Sequence, residues 1–167
     1  CSDQWILAEL EKLIKNVNHN LEHYHFSRAG EDIYDFIWHK LADWYIEAVK
    51  IEAIPHQTRL LDYILEKCLI LLHPFVPFVT EEIWQTMPHE GESIVKSSYP
   101  RAIPKDASAE NQMDVMMETV TAIRTIRGEL GISPSIELNA VVKTHTGHAK
   151  DILAENMLFL KKLSRAD

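Results

Sequence analysis

The segment formed by residues 71–84 constrains the fold most, because a long apolar helical pattern meets Pro74 and Pro77 there and then restarts. Proline lacks an amide donor and disfavours helical geometry at the residue before it, so we expect the helix to end at His73. Thr80 is then expected to cap a short new helix. The chain must therefore turn at this point, and an unbroken rod is excluded.

Before this turn, apolar residues at spacings of three and four predict three antiparallel helices. The first helix begins behind a cap at Ser2 or Asp3. The second begins near Ser27 to Asp32, after the break at Ala29-Gly30, and has about twenty residues. Pro55 separates the second helix from the third. The inward faces are expected to hold Ile6, Leu10, Leu13, Val17 and Leu21, then Tyr34, Ile37, Leu41, Trp44, Tyr45 and Ala48, then Leu61, Ile64, Leu65, Cys68, Leu71 and Leu72.

After the turn, residues 88–107 read as a packed connection in which only residues 93–96 have an extended pattern. A fourth long helix is expected to open at Ser108 and to end with Gly131 as its C-cap. The pattern predicts four helices up to this point, and these would complete a bundle.

In the remaining residues, 132–167, the spacing of the apolar side chains changes. Residues 136–144 alternate apolar and polar side chains, which predicts a strand, and residues 151–163 return to helical spacing. A strand and a helix need partners to form a sheet. We therefore expect a mainly α fold, with an antiparallel helix bundle over residues 1–131 and a small, incomplete α/β appendage over residues 132–167.

The cysteines and the termini indicate where such a chain works. Cys1 and Cys68 are the only cysteines, and Cys68 lies on an apolar helical stripe, so a buried thiol in a reducing compartment, the cytoplasm, is expected. No run of about 18 apolar residues occurs, which argues against a membrane partner. Because the chain lacks an initiator methionine and stops within a helical pattern, we expect it to be part of a longer protein.

Charge limits the ways in which this chain could bind nucleic acid. The sequence has 17 Lys and Arg against 25 Asp and Glu, and residues 1–100 hold 8 basic and 16 acidic side chains of these totals. A broad basic surface is therefore excluded. Stacking on a few exposed bases, with a small number of phosphate contacts, remains compatible with this composition.

Two groups of histidines invite a catalytic interpretation. His145 and His148 enclose Thr-Gly in a pattern that mimics a nucleotide-binding signature, yet only a short stretch follows, which is too little for the doubly wound sheet that such a site needs. His19, His23 and His25 could approach a metal, but a structural zinc site wants four ligands. We expect a polar turn at the first group, solvated imidazoles at the second, no metal, and no catalytic residue in this chain.

Several motifs in order resemble the anticodon-binding helical domain of class I aminoacyl-tRNA synthetases, and within that family the valyl branch. The isoleucyl and leucyl branches are the alternatives, and Val49-Lys50-Ile51-Glu52 after the second helix favours the valyl branch. The matching stretches are Asp3-Gln4-Trp5-Ile6-Leu7, Phe36-Ile37-Trp38-His39, Asp43-Trp44-Tyr45-Ile46-Glu47, residues 71–84, Ser93-Ile94-Val95 to Tyr99-Pro100, and Ile123-Arg124-Thr125-Ile126-Arg127 to Ser133-Pro134.

The resemblance implies that the bundle grips a tRNA anticodon loop. By position, Trp5 and either Ile64 or Leu65 of the third helix would flank an anticodon base. The competing interpretation packs Trp5 into the core against the third helix. Gln4 stands where the family usually has arginine, and the nearby basic residues that could replace that charge are Lys12, Arg59 and Lys67.

The resemblance also implies a division of labour. A separate catalytic domain, outside this sequence, would join valine to tRNA(Val) with ATP and magnesium, so this chain itself would hold no cofactor. Its expected partners are the anticodon loop of tRNA(Val) and the rest of its own synthetase chain. The rival hypothesis is a helical module that docks another protein surface and touches no RNA, which the acidic first hundred residues favour.

Overall fold

The computed structural model describes residues 2–52, 57–101, 110–133 and 135–166. This part of the chain is mainly helical, which confirms the predicted fold class. It divides into two compact units, Ser2–Asp106 (the first unit) and Ala107–Asp167 (the second unit). The helical elements are α1 Ser2–Glu22, α2 Phe26–Asp35, a π-helical segment Phe36–Ile46, α3 Glu47–Glu52, α4 Gln57–Leu72, α5 Pro77–Thr86, a 3₁₀ turn Ile94–Lys96, α6 Glu110–Glu129, α7 Gly147–Glu155 and α8 Met157–Ser164.

The predicted apolar stripes of the first and third helices form much of the core of the first unit. On α1 the residues Ile6, Leu10, Leu13 and Val17 are buried, as their spacing predicts. On α4 the buried residues include Cys68, and burial raises the pKa of its thiol to about 12. This confirms the expected buried thiol.

The break between the first two helices lies earlier than the sequence indicates. Residues 23–25 make the turn, where Tyr24 adopts a left-handed conformation with φ of 59°. Ala29 and Gly30, the expected break, lie inside α2. Gly30 does not interrupt the helix, and a Cβ there would lie 3.9 Å from the Phe75 ring, which is an ordinary van der Waals distance.

The second helix also changes its inward face, because it passes through the π-helical segment. The buried residues Phe36 and Leu41 are five apart, which matches the wider turn of a π-helix. The expected stripe placed Tyr34 and Ile37 inward, but Tyr34 is 57% exposed and Ile37 is only partly buried. Leu41, Tyr45 and Ala48 of the expected stripe are buried, so the prediction of the inward face is wrong at Tyr34 and confirmed at these three residues.

The turn after α4 forms as predicted, but α5 begins before Thr80. Pro77 occupies the first turn of α5, where the missing amide costs nothing and the fixed φ suits a helix. Thr80 does not cap the helix. Its hydroxyl lies 3.0 Å from the carbonyl oxygen of Val76 and 2.8 Å from Nδ1 of His73, so it ties the turn to the helix.

Glu81 holds the connection that follows α5. Its carboxylate accepts hydrogen bonds from Gln85 Nε2 at 2.8 Å, from Ser93 Oγ at 2.8 Å and from the Ile94 amide at 3.2 Å. The hydrogen bonds from Gln85 and Ser93 lower the pKa of Glu81. Ile94 packs with Leu69, Ile70 and Trp84, and the chain there forms the 3₁₀ turn and not the extended stretch that the sequence suggested.

In the second unit, Arg127 of α6 organises the chain that follows. The side chain is 6% exposed, and its guanidinium donates to four backbone carbonyls. Arg124 donates to a fifth carbonyl, that of Leu163, at 3.0 Å. The Arg127 acceptors are Ser133 at 2.7 Å, Ile136 at 2.6 Å, Arg165 at 2.9 Å and Ser164 at 3.5 Å. One planar fork thus fixes both the turn after α6 and the end of α8.

The predicted strand over residues 136–144 does not form among the described residues. Leu138 makes an isolated parallel bridge with Ala166, and its amide donates to the Arg165 carbonyl at 3.4 Å. A strand needs a ladder of partners, and one bridge does not supply it. The helical tail forms, but Asn156 divides it into α7 and α8. Gly131 takes the positive φ of 63° that a C-cap requires.

The two compact units divide before α6, whereas the sequence predicts a domain boundary after it, between residues 131 and 132. Within the second unit α6 packs against α7 and α8. Arg124 and Arg127 of α6 donate hydrogen bonds to the backbone carbonyls described above. These contacts place α6 in the same unit as residues 135–166. Hydrophobic periodicity predicts that such a helix forms, but it does not predict which other helix packs against its apolar face.

Candidate nucleic-acid interface

Trp5, the principal candidate for stacking on RNA, lies in the core of the first unit. Its side chain is 1% exposed. The start of α1 is held by Asp3, whose Oδ1 accepts from the Tyr45 hydroxyl at 2.9 Å and from Gln57 Nε2 at 3.2 Å. These bonds join α1 to the end of the π-helical segment and to the start of α4. In this arrangement Trp5 presents no ring face to a base.

The two aliphatic candidates on α4 differ in exposure. Ile64 is fully buried, while Leu65 is partly exposed at the surface of the helix. α1 and α4 pack against each other. Flanking of a base by Trp5 and one of these residues requires the start of α1 to open, and it stays a prediction.

Arg59, Tyr63 and Lys67 lie on one face of α4, where Arg59 and Tyr63 are exposed and the Lys67 side chain is 23% exposed. These three residues are four apart, so they lie above one another along the helix. The Tyr63 side chain is 40% exposed, and Lys67 Nζ lies 5.1 Å from the centre of its ring. We call Arg59, Tyr63 and Lys67 the α4 stripe. Tyr63 is not among the residues predicted from the sequence, although it lies four residues from each of two candidate cations.

The α4 stripe combines two kinds of side chain that proteins use to bind single-stranded RNA. An exposed tyrosine ring offers a face for a base, and neighbouring cations can meet phosphate. Glu66 lies beside the stripe, with its Oε2 3.1 Å from Lys67 Nζ. The stripe is therefore small and only partly neutralised, which suits contact with a few nucleotides and not with a duplex.

Lys12, the remaining candidate cation, is engaged within the first unit. Its Nζ lies 2.9 Å from Oε1 of Glu9, and the other carboxylate oxygen of Glu9 binds Lys40. Burial by itself would raise the pKa of Glu9, but the hydrogen bonds from Lys40 and Lys12 outweigh it and lower that pKa. Lys12 thus stabilises a buried carboxylate.

The histidine groups are placed as polar surface features. His145 and His148 are exposed at the start of α7, where the Thr146 hydroxyl accepts from the Ala149 amide at 3.2 Å and caps the helix. The rings of His19 and His23 lie 4.3 Å apart at the end of α1. Within residues 2–52, 57–101, 110–133 and 135–166, no three His, Cys, Asp or Glu side chains come together as metal ligands would.

An apolar surface lies on and just before α5. Phe78 is 89% exposed, and Val76, Val79 and Ile83 are also exposed. A soluble monomer rarely keeps several large apolar side chains together in water. None of the helices in the described ranges is long and apolar enough to cross a membrane. The exposed side chains of Val76, Phe78, Val79 and Ile83 form a candidate surface for contact with another protein.

Comparison with known families gives the class of protein to which this helical fold belongs. Residues 3–142 match the family described as anticodon-binding domain of tRNA ligase. The match covers most of the chain, so the chain belongs to this family, and the resemblance found in the sequence motifs is confirmed.

Individual relatives indicate which tRNA ligases this chain is most similar to among the branches considered. The chain is 38% identical over 170 residues to a valine–tRNA ligase of Geobacillus stearothermophilus, a match covering 96% of this chain and 19% of the relative. It is 37% identical over 172 residues to a valine–tRNA ligase of Bacillus subtilis (strain 168), covering 98% of this chain and 20% of the relative. The chain thus spans about a fifth of the length of these relatives. These relatives favour the valyl branch over the isoleucyl and leucyl alternatives.

Proposed function

We propose that this chain holds the anticodon loop of tRNA(Val) for a valine–tRNA ligase of which it is one part. The observation that carries the proposal is the family match over residues 3–142, joined to relatives that are valine–tRNA ligases. Aminoacylation, with ATP and magnesium, would take place in a catalytic domain elsewhere in that ligase, so this chain contributes recognition and no catalytic residue. Such a ligase would act in the cytoplasm, a reducing compartment that suits the buried thiol of Cys68.

Within this proposal, the α4 stripe is the RNA contact. The Tyr63 ring stacks on an exposed base, while Arg59 and Lys67 meet the phosphates on either side. Trp5 and Ile64 lie in the core that supports α4, and Leu65 adds apolar surface beside the stripe. Burial of Trp5 argues for assigning direct contact to the surface of α4, because Trp5 is 1% exposed whereas Arg59 and Tyr63 are exposed.

Fluorescence anisotropy of a labelled valine-anticodon stem-loop tests the proposal, with an altered-anticodon loop as the reference. We expect tighter binding of the valine loop, and a loss of about 1–3 kcal/mol in Tyr63→Ala. Tyr34→Ala is a matched control, because Tyr34 is also an exposed helical tyrosine of the first unit. Equal binding of the two loops, or equal effects of the two substitutions, would reject anticodon recognition by the α4 stripe.

The salt dependence of the same titration tests the role of the cations. With two phosphate contacts, the slope of log K against log salt should be about −1.4. Arg59→Ala and Lys67→Ala should each make it shallower by about 0.7, whereas Lys50→Ala, which removes an exposed cation paired with Glu47, should not change it. A slope unaffected by Arg59→Ala and Lys67→Ala would place the phosphate contacts elsewhere.

The apolar surface near α5 supports a second contact, with the rest of the ligase chain. Phe78, Val79 and Ile83 are exposed here, while the relatives are about five times longer than this chain. In the whole ligase, Phe78→Ser should lower the melting temperature. In the isolated chain the same substitution should have little effect, because the ring is already in water. A loss of stability in both proteins would contradict docking at this surface.

A further inference from the structure

The outward side of α1 differs in charge from the rest of the first unit. Residues 1–100 hold 16 acidic and 8 basic side chains, yet residues 12–21 contain no Asp or Glu. The exposed side chains of this stretch are Lys12, Lys15, Asn16 and His19. Within an acidic unit, this side of α1 is therefore locally basic.

These four residues share one side of the helix. Lys15, Asn16 and His19 follow Lys12 by three, four and seven residues, and helical side chains at these spacings lie above one another. Each can donate hydrogen bonds, since lysine and asparagine carry several N–H groups and a neutral imidazole carries one. We call Lys12, Lys15, Asn16 and His19 the α1 basic face. A row of donors without a carboxylate suits a ligand that is both an acceptor and an anion, such as phosphate.

Lys40 of the π-helical segment adds an ammonium group beside this face. It binds Oε2 of Glu9, while Lys12 Nζ lies 2.9 Å from Oε1 of the same carboxylate. The Glu9 side chain is 8% exposed, whereas those of Lys12 and Lys40 are 52% and 41% exposed. Two partly exposed cations thus lie side by side over one buried anion, and the cluster keeps a net positive charge.

Glu9 also restricts where the two ammonium groups lie. A long side chain that is held in one place by a ligand loses rotamer freedom, and this loss weakens binding. Because the buried carboxylate already holds Lys12 and Lys40, part of that loss has occurred before any ligand arrives. The arrangement therefore favours binding of an anion more than two independent surface lysines would.

We propose that the α1 basic face, together with Lys40, binds phosphates of the tRNA that lie outside the anticodon stem-loop. Lys12 and Lys40 hold one phosphate, and Lys15 holds the next one with the help of Asn16 or His19. The inference rests on the proposed function, because it takes tRNA as the partner. The new site differs from the α4 stripe in kind, since phosphate contacts position a nucleic acid without reading its sequence.

Salt titrations of this chain with full-length tRNA(Val) and with the anticodon stem-loop, followed by fluorescence anisotropy, test the proposal. Two further phosphate contacts should make the slope of log K against log salt steeper by about 1.8 for the full-length tRNA. Lys15→Ala and Lys40→Ala should each remove about half of this difference. Lys96→Ala, which removes an exposed cation paired with Glu92, is the matched control and should not change it.

Two results would overturn the phosphate site. One is an equal slope for the two RNAs, and the other is a slope for full-length tRNA(Val) that Lys15→Ala leaves unchanged. Far-UV circular dichroism shows whether each variant is folded. Lys15→Ala decides the test if Lys40→Ala lowers the helix content, because Lys15 is exposed and lies outside the Glu9 cluster.

A full-length tRNA with an altered anticodon separates this proposal from the proposed function. It should bind more weakly than tRNA(Val), but Lys15→Ala should change the two salt slopes equally, because phosphates carry no sequence information. Equal affinity for the two tRNAs, with the lysine effects intact, would reject anticodon recognition alone. Retained discrimination without lysine effects would reject the phosphate site alone.

Discussion

The two compact units of this chain hold themselves together by different means. The first unit, Ser2–Asp106, is built on apolar faces that meet around large buried side chains such as Trp5, Tyr45 and Trp84. The second unit, Ala107–Asp167, depends on a buried guanidinium that binds backbone carbonyls, and among its described residues the extended segment after α6 makes one isolated bridge, at Leu138. Apolar periodicity predicts the first kind of structure well, because burial of a stripe needs only that another stripe is near. It predicts the second kind poorly.

The largest effect should come from Trp5→Ala, which tests whether the first unit depends on aromatic burial. Removing a fully buried indole should cost about 3–5 kcal/mol in the free energy of unfolding, measured by urea titration followed by far-UV circular dichroism. Trp38→Ala is the control at an exposed position and should cost about 1 kcal/mol. Unchanged stability in Trp5→Ala, together with weaker stem-loop binding, would restore Trp5 as an RNA-stacking residue and break the comparison.

The next test concerns the inward face of α2, where periodicity failed within the first unit. Ile33 is buried and Tyr34 is exposed, so Ile33→Ala should cost about 3 kcal/mol and Tyr34→Ala less than about 1 kcal/mol. Thermal unfolding followed by tryptophan fluorescence measures both, because all four tryptophans lie in this unit. A larger cost for Tyr34→Ala would support the regular stripe and contradict the π-helical shift.

Arg127→Met tests the second unit, and its expected cost in the free energy of unfolding is similar to or smaller than that of Ile33→Ala. The substitution leaves buried carbonyls without their donor, and we expect a loss of about 2–3 kcal/mol. The loss should show as faster hydrogen exchange in α7 and α8. Arg127→Lys retains the charge but not the planar fork, so it should recover only part of the loss. Full recovery by lysine would mean that charge and not geometry holds these carbonyls.

The smallest expected effect is on the pH dependence of stability. It sharpens the comparison of the two units because Glu9 is a buried charged group inside the first unit, which is otherwise held by apolar faces. Its folded pKa is lowered, so its stabilising contribution is complete above the unfolded pKa of about 4.3 and is lost as pH falls through the folded value. Glu9→Gln should reduce the loss of stability between pH 7 and pH 3 by about 1 kcal/mol, measured by fluorescence-detected melting. Glu22→Gln, at an exposed position of α1, is the control and should leave that difference unchanged.

In the candidate site, too, helical spacing predicts which residues share a face of a helix, but packing decides which of them are exposed. The sequence placed Arg59 and Lys67 near the RNA, and their spacing alone puts them on one face of α4. It also proposed Trp5, but helical spacing cannot say whether an aromatic at the start of a helix meets a base or another helix. In this structure Trp5 is 1% exposed, and the start of α1 is held by hydrogen bonds to Asp3 from Tyr45 and Gln57, which are distant in the chain.

The sequence by itself determined the helical class, the turn at Pro74 and Pro77, the buried position of Cys68 and the family, because each of these follows from local backbone chemistry or from motifs in order. Only the tertiary structure decided the π-helical shift after Asp35, the place of α6 and the absence of a ladder along the described residues 136–144. Each of these depends on which surfaces or backbone groups meet across long stretches of chain. Such partners are set by packing and hydrogen bonding in three dimensions, and a local pattern does not contain them.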